Sequence, residues 1–320
     1  MTADQPKYVV RGAESSQEAV DLWWPIIQKE GWNRNRNDGP MHYRVGSDGA
    51  DWLHIVPKEL AAGKPQGSVL ALKYQNRTGW VAFFIMSEEY RGKGLGRELW
   101  KDMELSFKKD SIDIIGLDAV KQQVETYKRR GFVEAGDINL MLRKSLKEQP
   151  KEDVDSFSLG SKGLVPLKSV DRAALARLDL KYTGLDRQNY WSDVLLGRDD
   201  MFGFAIFGST DERDSELKGF VVVRECEFGH RFGPLYAEDD SQAYALLHTA
   251  MHQIQDSEGS MIAEIYGNNP LGRKLFEKLG WTHAGVDFYR MWLDGKMPDA
   301  QSEGRAGTQG MYAIFDACAG

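Results

Sequence analysis

Cysteine is scarce in this chain, basic charge is not in excess, and no apolar run is long. The 320 residues contain two cysteines, Cys226 and Cys318. Two isolated thiols cannot form a disulfide framework, and neither has a local nucleophile signature, so both are read as small structural hydrophobes. No stretch approaches the ~20 apolar residues of a membrane-spanning helix. The start, Met1-Thr2-Ala3-Asp4-Gln5-Pro6, lacks the charged-then-apolar order of a secretory signal. The formal net charge is −7, which argues against a nucleic-acid binder, whose footprint is a basic surface. A cytoplasmic protein with neither nucleic acid nor membrane as partner is the expectation.

What is present is size, aromatic content and one informative loop. The length suits two domains, and nine tryptophans can fill their cores. The apolar run Gly79-Trp80-Val81-Ala82-Phe83-Phe84-Ile85-Met86 reads as a strand, and Arg97-Glu98-Leu99-Trp100 begins a helical pattern. Between them stands Arg91-Gly92-Lys93-Gly94-Leu95-Gly96. Glycines let a backbone turn tightly against a ligand. A helix N-terminus offers unpaired N–H groups and the positive end of a dipole. With Arg91, Lys93 and Arg97 beside it, the segment is expected to cradle a pyrophosphate. Its spacing fits neither the dinucleotide fingerprint nor the P-loop.

The order Arg-x-x-Gly-x-Gly, carried by Arg91, Gly94 and Gly96, resembles the acetyl-coenzyme A loop of the GNAT N-acetyltransferase superfamily. Tyr127-Lys128-Arg129-Arg130-Gly131-Phe132 resembles the Tyr-x-x-x-Gly-Phe at the end of that family's fourth helix. The resemblance implies an α/β fold with a mixed, mostly antiparallel sheet flanked by helices. It also implies acetyl-CoA as cosubstrate and no metal.

The charged stretch from Leu146 to Ser158 is the candidate linker, set at residues 148–158, between a catalytic unit at 1–147 and a second unit at 159–320. The halves are similar. Gly131-Phe132-Val133-Glu134-Ala135-Gly136 returns as Gly280-Trp281-Thr282-His283-Ala284-Gly285, an offset of 149. The first half is read as strand (Tyr8–Arg11), helix (Ser16–Lys29), a Gly/Asn-rich loop and three strands (Trp52–Val56, Ser68–Tyr74, Gly79–Met86). Helix (Gly94–Phe107), strand (Ile112–Ala119), helix (Lys121–Arg130) and strand (Val133–Leu142) follow. The second half repeats this order with helices near Asp171–Tyr182, Gln188–Leu196, Ser241–Ile254 and Pro270–Leu279. A loop from Asp299 to Gly310 and a final strand at Met311–Ala317 close it.

At the same offset Arg91 falls on Asp240, Gly94 on Ala243, Gly96 on Ala245 and Tyr127 on Phe276. Three acids, Glu238, Asp239 and Asp240, would repel a pyrophosphate. The second half is therefore expected to be a degenerate GNAT-like unit, either a structural partner or a wall of the substrate site.

Amide formation from a thioester needs a positioned donor, a neutral amine and a proton for the leaving thiolate. By resemblance, Phe84, Ile85 and Met86 run beside the pantetheine arm, where a main-chain N–H could polarise the thioester carbonyl. Arg91, Gly92, Lys93, Gly94, Leu95, Gly96 and Arg97 hold the pyrophosphate. Tyr127 is the candidate general acid, since a phenol stays protonated at neutral pH. The family's frequent Asn seven residues earlier is Val120 here, whereas Asn269 holds that place in the second half. No acid stands between Gly79 and Ser87, so the base is left among Glu88, Glu89, Asp51, Asp118 and the second half.

His248 and His252 share a helix face without a third metal ligand. Asn33–Pro40 is read as a loop that could border the acceptor, and Trp23-Trp24 as core. The expected activity is acetyl transfer to a primary amine of a small molecule. The expected assembly is a monomer with an internal pseudo-dimer of domains, or a weak homodimer. A non-catalytic acyl-CoA sensor and a protein-tail acetyltransferase stay open as alternatives.

Overall fold

The computed structural model describes residues 7–59, 63–148, 163–208 and 216–320; the linker expected at 148–158 lies outside them except for residue 148. The chain divides into two compact units, one running to Ile115 and taking in Ala319, the other from Gly116 to Cys318 with Gly320.

The first unit contains β1 (Tyr8–Gly12), α1 (Ser16–Lys29), α2 (Asp38–Val45), β2 (Trp52–Pro57), β3 (Gly67–Lys73), β4 (Thr78–Met86) and α3 (Leu95–Lys109). Strands β1 to β4 are antiparallel neighbours in chain order. Ser15 caps α1 by accepting the Glu18 N–H at 3.1 Å, the capping chemistry expected of Ser before Glu. Helix α1 buries Ala19, Val20, Trp23 and Ile27, and α3 buries Leu99, Trp100, Met103 and Phe107. Both spacings give one apolar stripe per helix.

The sequence loop around Asn33–Pro40 leads into a helix instead. Helix α2 starts at Asp38 and buries Met41, His42 and Val45. Pro40 falls in its first turn, where proline removes no helical hydrogen bond, so it is compatible with the helix.

The second unit contains β5 (Ile114–Val120, whose first two residues belong to the first unit), α4 (Val124–Lys128), β6 (Phe132–Arg143), β7 (Leu164–Pro166), α5 (Arg172–Thr183), α6 (Asp193–Leu196) and β8 (Met201–Phe207). Strands β9 (Leu217–Cys226) and β10 (Gly229–Tyr236), helix α7 (Asp240–Gln253), β11 (Ser260–Tyr266), α8 (Pro270–Lys278), β12 (Thr282–Leu293), α9 (Ala306–Gly310) and β13 (Met311–Ala313) follow. The strand order is β5-β12-β6-β11-β13-β10-β9-β8-β7. Only β10 and β11 are parallel partners there among the described residues.

That order contains an exchange. Strands β5 and β6 come from the first sequence repeat, β11 and β12 from the second. Yet β5 pairs with β12, from Phe288↔Val120 to Trp292↔Gly116. Reciprocally, β6 pairs with β11, from Met261↔Arg143 to Tyr266↔Ile138. The two exchanged strands also pair with each other. Each repeat completes the other's sheet, and the compact division therefore falls at residue 115 and not at the sequence linker.

The main core of this unit gathers Val221, Val223, Phe232, Leu246, Leu247, Ile265, Phe276 and Trp281 with Met141 of β6. The final strand is shorter than its apolar run suggests, ending at Ala313. The loop expected at Asp299–Gly310 holds a 3-10 turn and α9.

Candidate active site

The β4–α3 segment builds the site in the first unit. Strand β4 is regular against β3 up to Leu70↔Ala82, then slips to Ser68↔Ile85. Two steps of β3 thus face three steps of β4, and Phe83 and Phe84 fall outside the β3 ladder. Phe83 has a φ of 47°, rare for a bulky side chain. Such a bulge re-aims side chains and frees main-chain donors next to functional sites.

The two aromatics part at the bulge. Phe83 packs on Trp23 at 5.4 Å and Trp52 at 5.8 Å between ring centroids, while Phe84 meets Trp100 of α3 edge-on at 5.4 Å. Sequence reading assigned Phe84, Ile85 and Met86 to the donor arm but had no means of seeing the bulge, because a register slip leaves no pattern in a continuous apolar run.

Beyond β4 the chain makes a 3-10 turn at Glu88–Tyr90 and enters the glycine loop. Gly92 has φ 76° and Gly94 φ 84°. A Cβ at either would meet no described atom within 4 Å, so backbone conformation and not crowding selects glycine there. At Gly96 a Cβ would lie 3.5 Å from Phe84 Cζ, an ordinary contact. Gly94 is the N-cap of α3, and among the described residues no side-chain hydrogen bond caps that end. The N–H groups of Leu95 and Gly96 open the helix, while Arg97 N–H bonds the Gly94 carbonyl at 3.0 Å. Lys93 lies over the Tyr90 ring, its Nζ 4.6 Å from the centroid, and Arg97 is exposed. An uncapped helix N-terminus behind open glycine backbone, with two exposed cations, fits a pyrophosphate.

Arg91 has a second task. Its Nε donates to the Met86 carbonyl at 3.1 Å and its Nη2 to Glu30 Oε1 at 3.1 Å. It ties the loop to the end of β4 and to the residue after α1.

Each acid considered as a base has another partner or an open setting. Glu88 is exposed and paired with Lys29, whose hydrogen bond draws its pKa down. Glu89 is exposed. Asp51 is buried, accepting from Ser47 Oγ at 2.7 Å and pairing with Lys73 at 2.6 Å. In the second unit, Asp118 is held by both arms of Arg290 at 2.9 and 2.8 Å.

Tyr127 lies on α4 in the second unit. It is buried, with its ring 6.1 Å from that of Phe132, and desolvation pushes its phenol up to about 12. Val120 precedes the short turn that leads into α4.

The counterpart of the loop in the second half is sealed. Strand β10 bulges at the equivalent place, between Phe232↔Val223 and Leu235↔Val221. The helix that follows it, α7, is capped by Asp239, whose carboxylate accepts the Gln242 N–H at 2.9 Å. An anion of the chain's own thus occupies the N-terminus that is open in α3. Strand β13 then runs along the end of β10 through Leu235↔Ala313 and Tyr236↔Met311, and touches β11 at Ile265↔Ala313. Asn269 caps α8 and donates to the Met311 carbonyl at 3.2 Å. The loss of the glycine loop was legible in the sequence, whereas the strand filling the cleft was not.

The other features singled out have local roles. His248 and His252 bond each other through their Nε2 atoms at 3.1 Å; of the two tryptophans expected in the core, Trp23 is fully buried and Trp24 only half-buried.

Comparison with known proteins agrees with this architecture. The family model described as "Acetyltransferase (GNAT) domain" matches residues 59–140, and a second of the same description matches residues 175–303. Holothin acyltransferase of Pseudoalteromonas sp. (strain SANK 73390) is 26% identical over 231 residues, spanning 72% of this chain and 70% of that protein. A proposed acetyltransferase of Pyrococcus horikoshii, at 18% identity, superposes with a TM-score of 0.72 over 100% of this chain and 98% of its own. A tandem GNAT protein from the clavulanic acid biosynthesis pathway, at 12% identity, gives a TM-score of 0.60 over 89% of this chain and 97% of its own. With both halves matched and the β-bulge–glycine loop–helix order in place, this chain belongs to the GNAT superfamily of acyltransferases as a tandem-domain member.

Proposed function

We propose that the protein transfers an acetyl group from acetyl-CoA to a primary amine of a small molecule. The observation that carries this is the uncapped N-terminus of α3 behind Gly92 and Gly94, against the Asp239-capped, β13-filled counterpart in the second half. The pyrophosphate is to be held by the N–H groups of Leu95 and Gly96 with Lys93 and Arg97. Arg91 keeps the loop in register with β4 through the Met86 carbonyl.

The β4 bulge places main-chain donors outside the β3 ladder, suited to polarising a thioester carbonyl as the amine nitrogen attacks it. The new C–N bond forms, the C–S bond breaks, and the amine gives up one proton to solvent water, which in turn restores the Tyr127 phenol after it has protonated the thiolate. The departing thiolate takes a proton from Tyr127, whose raised pKa keeps it protonated through the neutral range.

A small acceptor is in keeping with the relative named holothin acyltransferase and with the clavulanic acid pathway protein. The second half, without a cofactor site of its own, is assigned to acceptor selectivity.

Labelled acetyl-CoA offered to the full chain with a pool of small primary amines, and separately with lysine-bearing peptides, tests the reading through label transfer and free-thiol release. Transfer to small amines is expected. Coenzyme A binding without transfer to either pool would sink it in favour of a non-catalytic acyl-CoA sensor, and preference for peptides in favour of a protein-tail acetyltransferase.

A further inference from the structure

We propose that aromatic side chains on both faces of the β4 bulge restrict this protein to short acyl donors, with Trp52 and Phe84 as the selectivity residues. The inference rests on the reading that the acyl thioester is held at the bulge.

The bulge places two consecutive aromatics on different helices. Phe83 belongs to a packed set with Trp23 and Trp52. Trp23 and Trp52 stand edge-on at 6.4 Å, and Trp52 is stacked on Phe83 with an interplanar angle of 21°. Both tryptophans are fully buried. His42 of α2 closes the same set, its ring 5.4 Å from that of Phe83. The Trp52 indole is fixed by donating its Nε1 hydrogen to Ser68 Oγ at 2.6 Å.

On the other helix's side, Phe84 meets Trp100, and the Trp100 indole donates to Glu104 Oε1 at 2.6 Å. The two tryptophans that back the bulge are therefore locked by hydrogen bonds as well as by packing. An acyl chain that starts at the bulge carbonyl site and grows by methylenes runs into one aromatic set or the other. Close-packed interiors do not yield to added methylenes without moving side chains off their preferred rotamers.

Equilibrium binding of CoA, acetyl-CoA and octanoyl-CoA to the full chain, by calorimetry, tests this without knowledge of the acceptor. CoA and acetyl-CoA should bind alike, with octanoyl-CoA at least about tenfold weaker, the order expected for overpacking. Trp52→Leu and, separately, Phe84→Ala should each bring octanoyl-CoA to within about threefold of acetyl-CoA on the same variant, the ratio being read whatever the change does to CoA itself. Phe84 is half-buried, so its variant serves if the Trp52 variant does not fold.

Octanoyl-CoA binding the wild-type chain as tightly as acetyl-CoA would overturn the restriction and leave the acyltransferase reading intact. Discrimination unchanged in both variants would overturn the assignment to these residues. Failure of CoA itself to bind would overturn the acetyltransferase reading and this inference together.

Discussion

Tyr312 donates its phenolic hydrogen to Asp240 Oδ1 across 2.7 Å, pinning β13 to the first turn of α7. The bond joins the two features that close the loop's counterpart in the second half, an acidic helix start and a strand laid along β10. Burial first, and then the Asp240 hydrogen bond, raise the Tyr312 pKa far above its ordinary value, so the contact persists throughout the working pH range. One coenzyme A per chain is expected by calorimetry. Gly94→Glu should abolish it, because the new carboxylate stands at the phosphate position and φ 84° is a conformation that L-residues resist. Two equivalent sites would refute the division of labour between the halves.

Tyr127→Phe removes one hydroxyl and keeps the buried ring. If Tyr127 protonates the thiolate, kcat should fall by roughly 10²–10⁴-fold, with coenzyme A affinity little changed. Because desolvation pushes the phenol up to about 12, the wild-type rate should show no loss of this acid between pH 7 and 9. Unchanged kcat in the variant would leave Tyr127 as packing beside Phe132.

Asp118, considered from sequence as a base, has a structural bond to explain it. Its carboxylate and the Arg290 guanidinium face each other across the β5–β12 pairing, both buried. Burial alone would push the Asp118 pKa up; the paired guanidinium opposes that. Removing one partner of such a pair leaves the other charge buried, a loss of about 3–5 kcal/mol. Asp118→Asn is therefore expected to lower unfolding free energy by a large fraction of that amount in urea titrations. Full stability with lost turnover would restore Asp118 to the chemistry.

The parts of this fold that were legible in the sequence are local. Ser15 and Glu18 announced the start of α1, the glycines and basic residues marked the loop before α3, and the repeated Gly-aromatic motif exposed the duplication. What stayed hidden depends on pairing. The apolar pattern of β6 is the same whether it joins β5 or β11, so the exchange could not be read from either strand. It also means that residues 1–147 alone would leave β5 and β6 without their partners β12 and β11, so the second half's contribution is better probed by substitutions in the full chain than by truncation. The β4 bulge was invisible because Phe83 and Phe84 satisfy an apolar run in any register. Helix α2 was masked by its Gly and Pro content, although Met41, His42 and Val45 already had the spacing of a buried helical face.

His54 provides a pH test of the first unit. It sits on β2 with no exposed surface, its Nδ1 3.4 Å from Glu18 Oε2. Among the described residues neither ring nitrogen has a well-formed hydrogen bond. Desolvation pulls its pKa down to about 4, against the attraction of Glu18. A lowered histidine pKa means that the unfolded chain takes up a proton between about pH 6.5 and 4 that the folded chain does not, so folding weakens as pH falls through that window. Glu18 acts lower on the scale. The Arg11 hydrogen bond chiefly holds its pKa at about 2, so its stabilisation is complete above the ordinary glutamate range and fades as pH falls towards 2. Between pH 7 and pH 5 the histidine therefore dominates, with a loss of roughly 2 kcal/mol. His54→Leu keeps the buried volume and removes the titration. The wild-type chain should lose about that much more stability than the variant between these two pH values, measured by urea unfolding. Parallel losses in both proteins would show that another group carries the acid sensitivity.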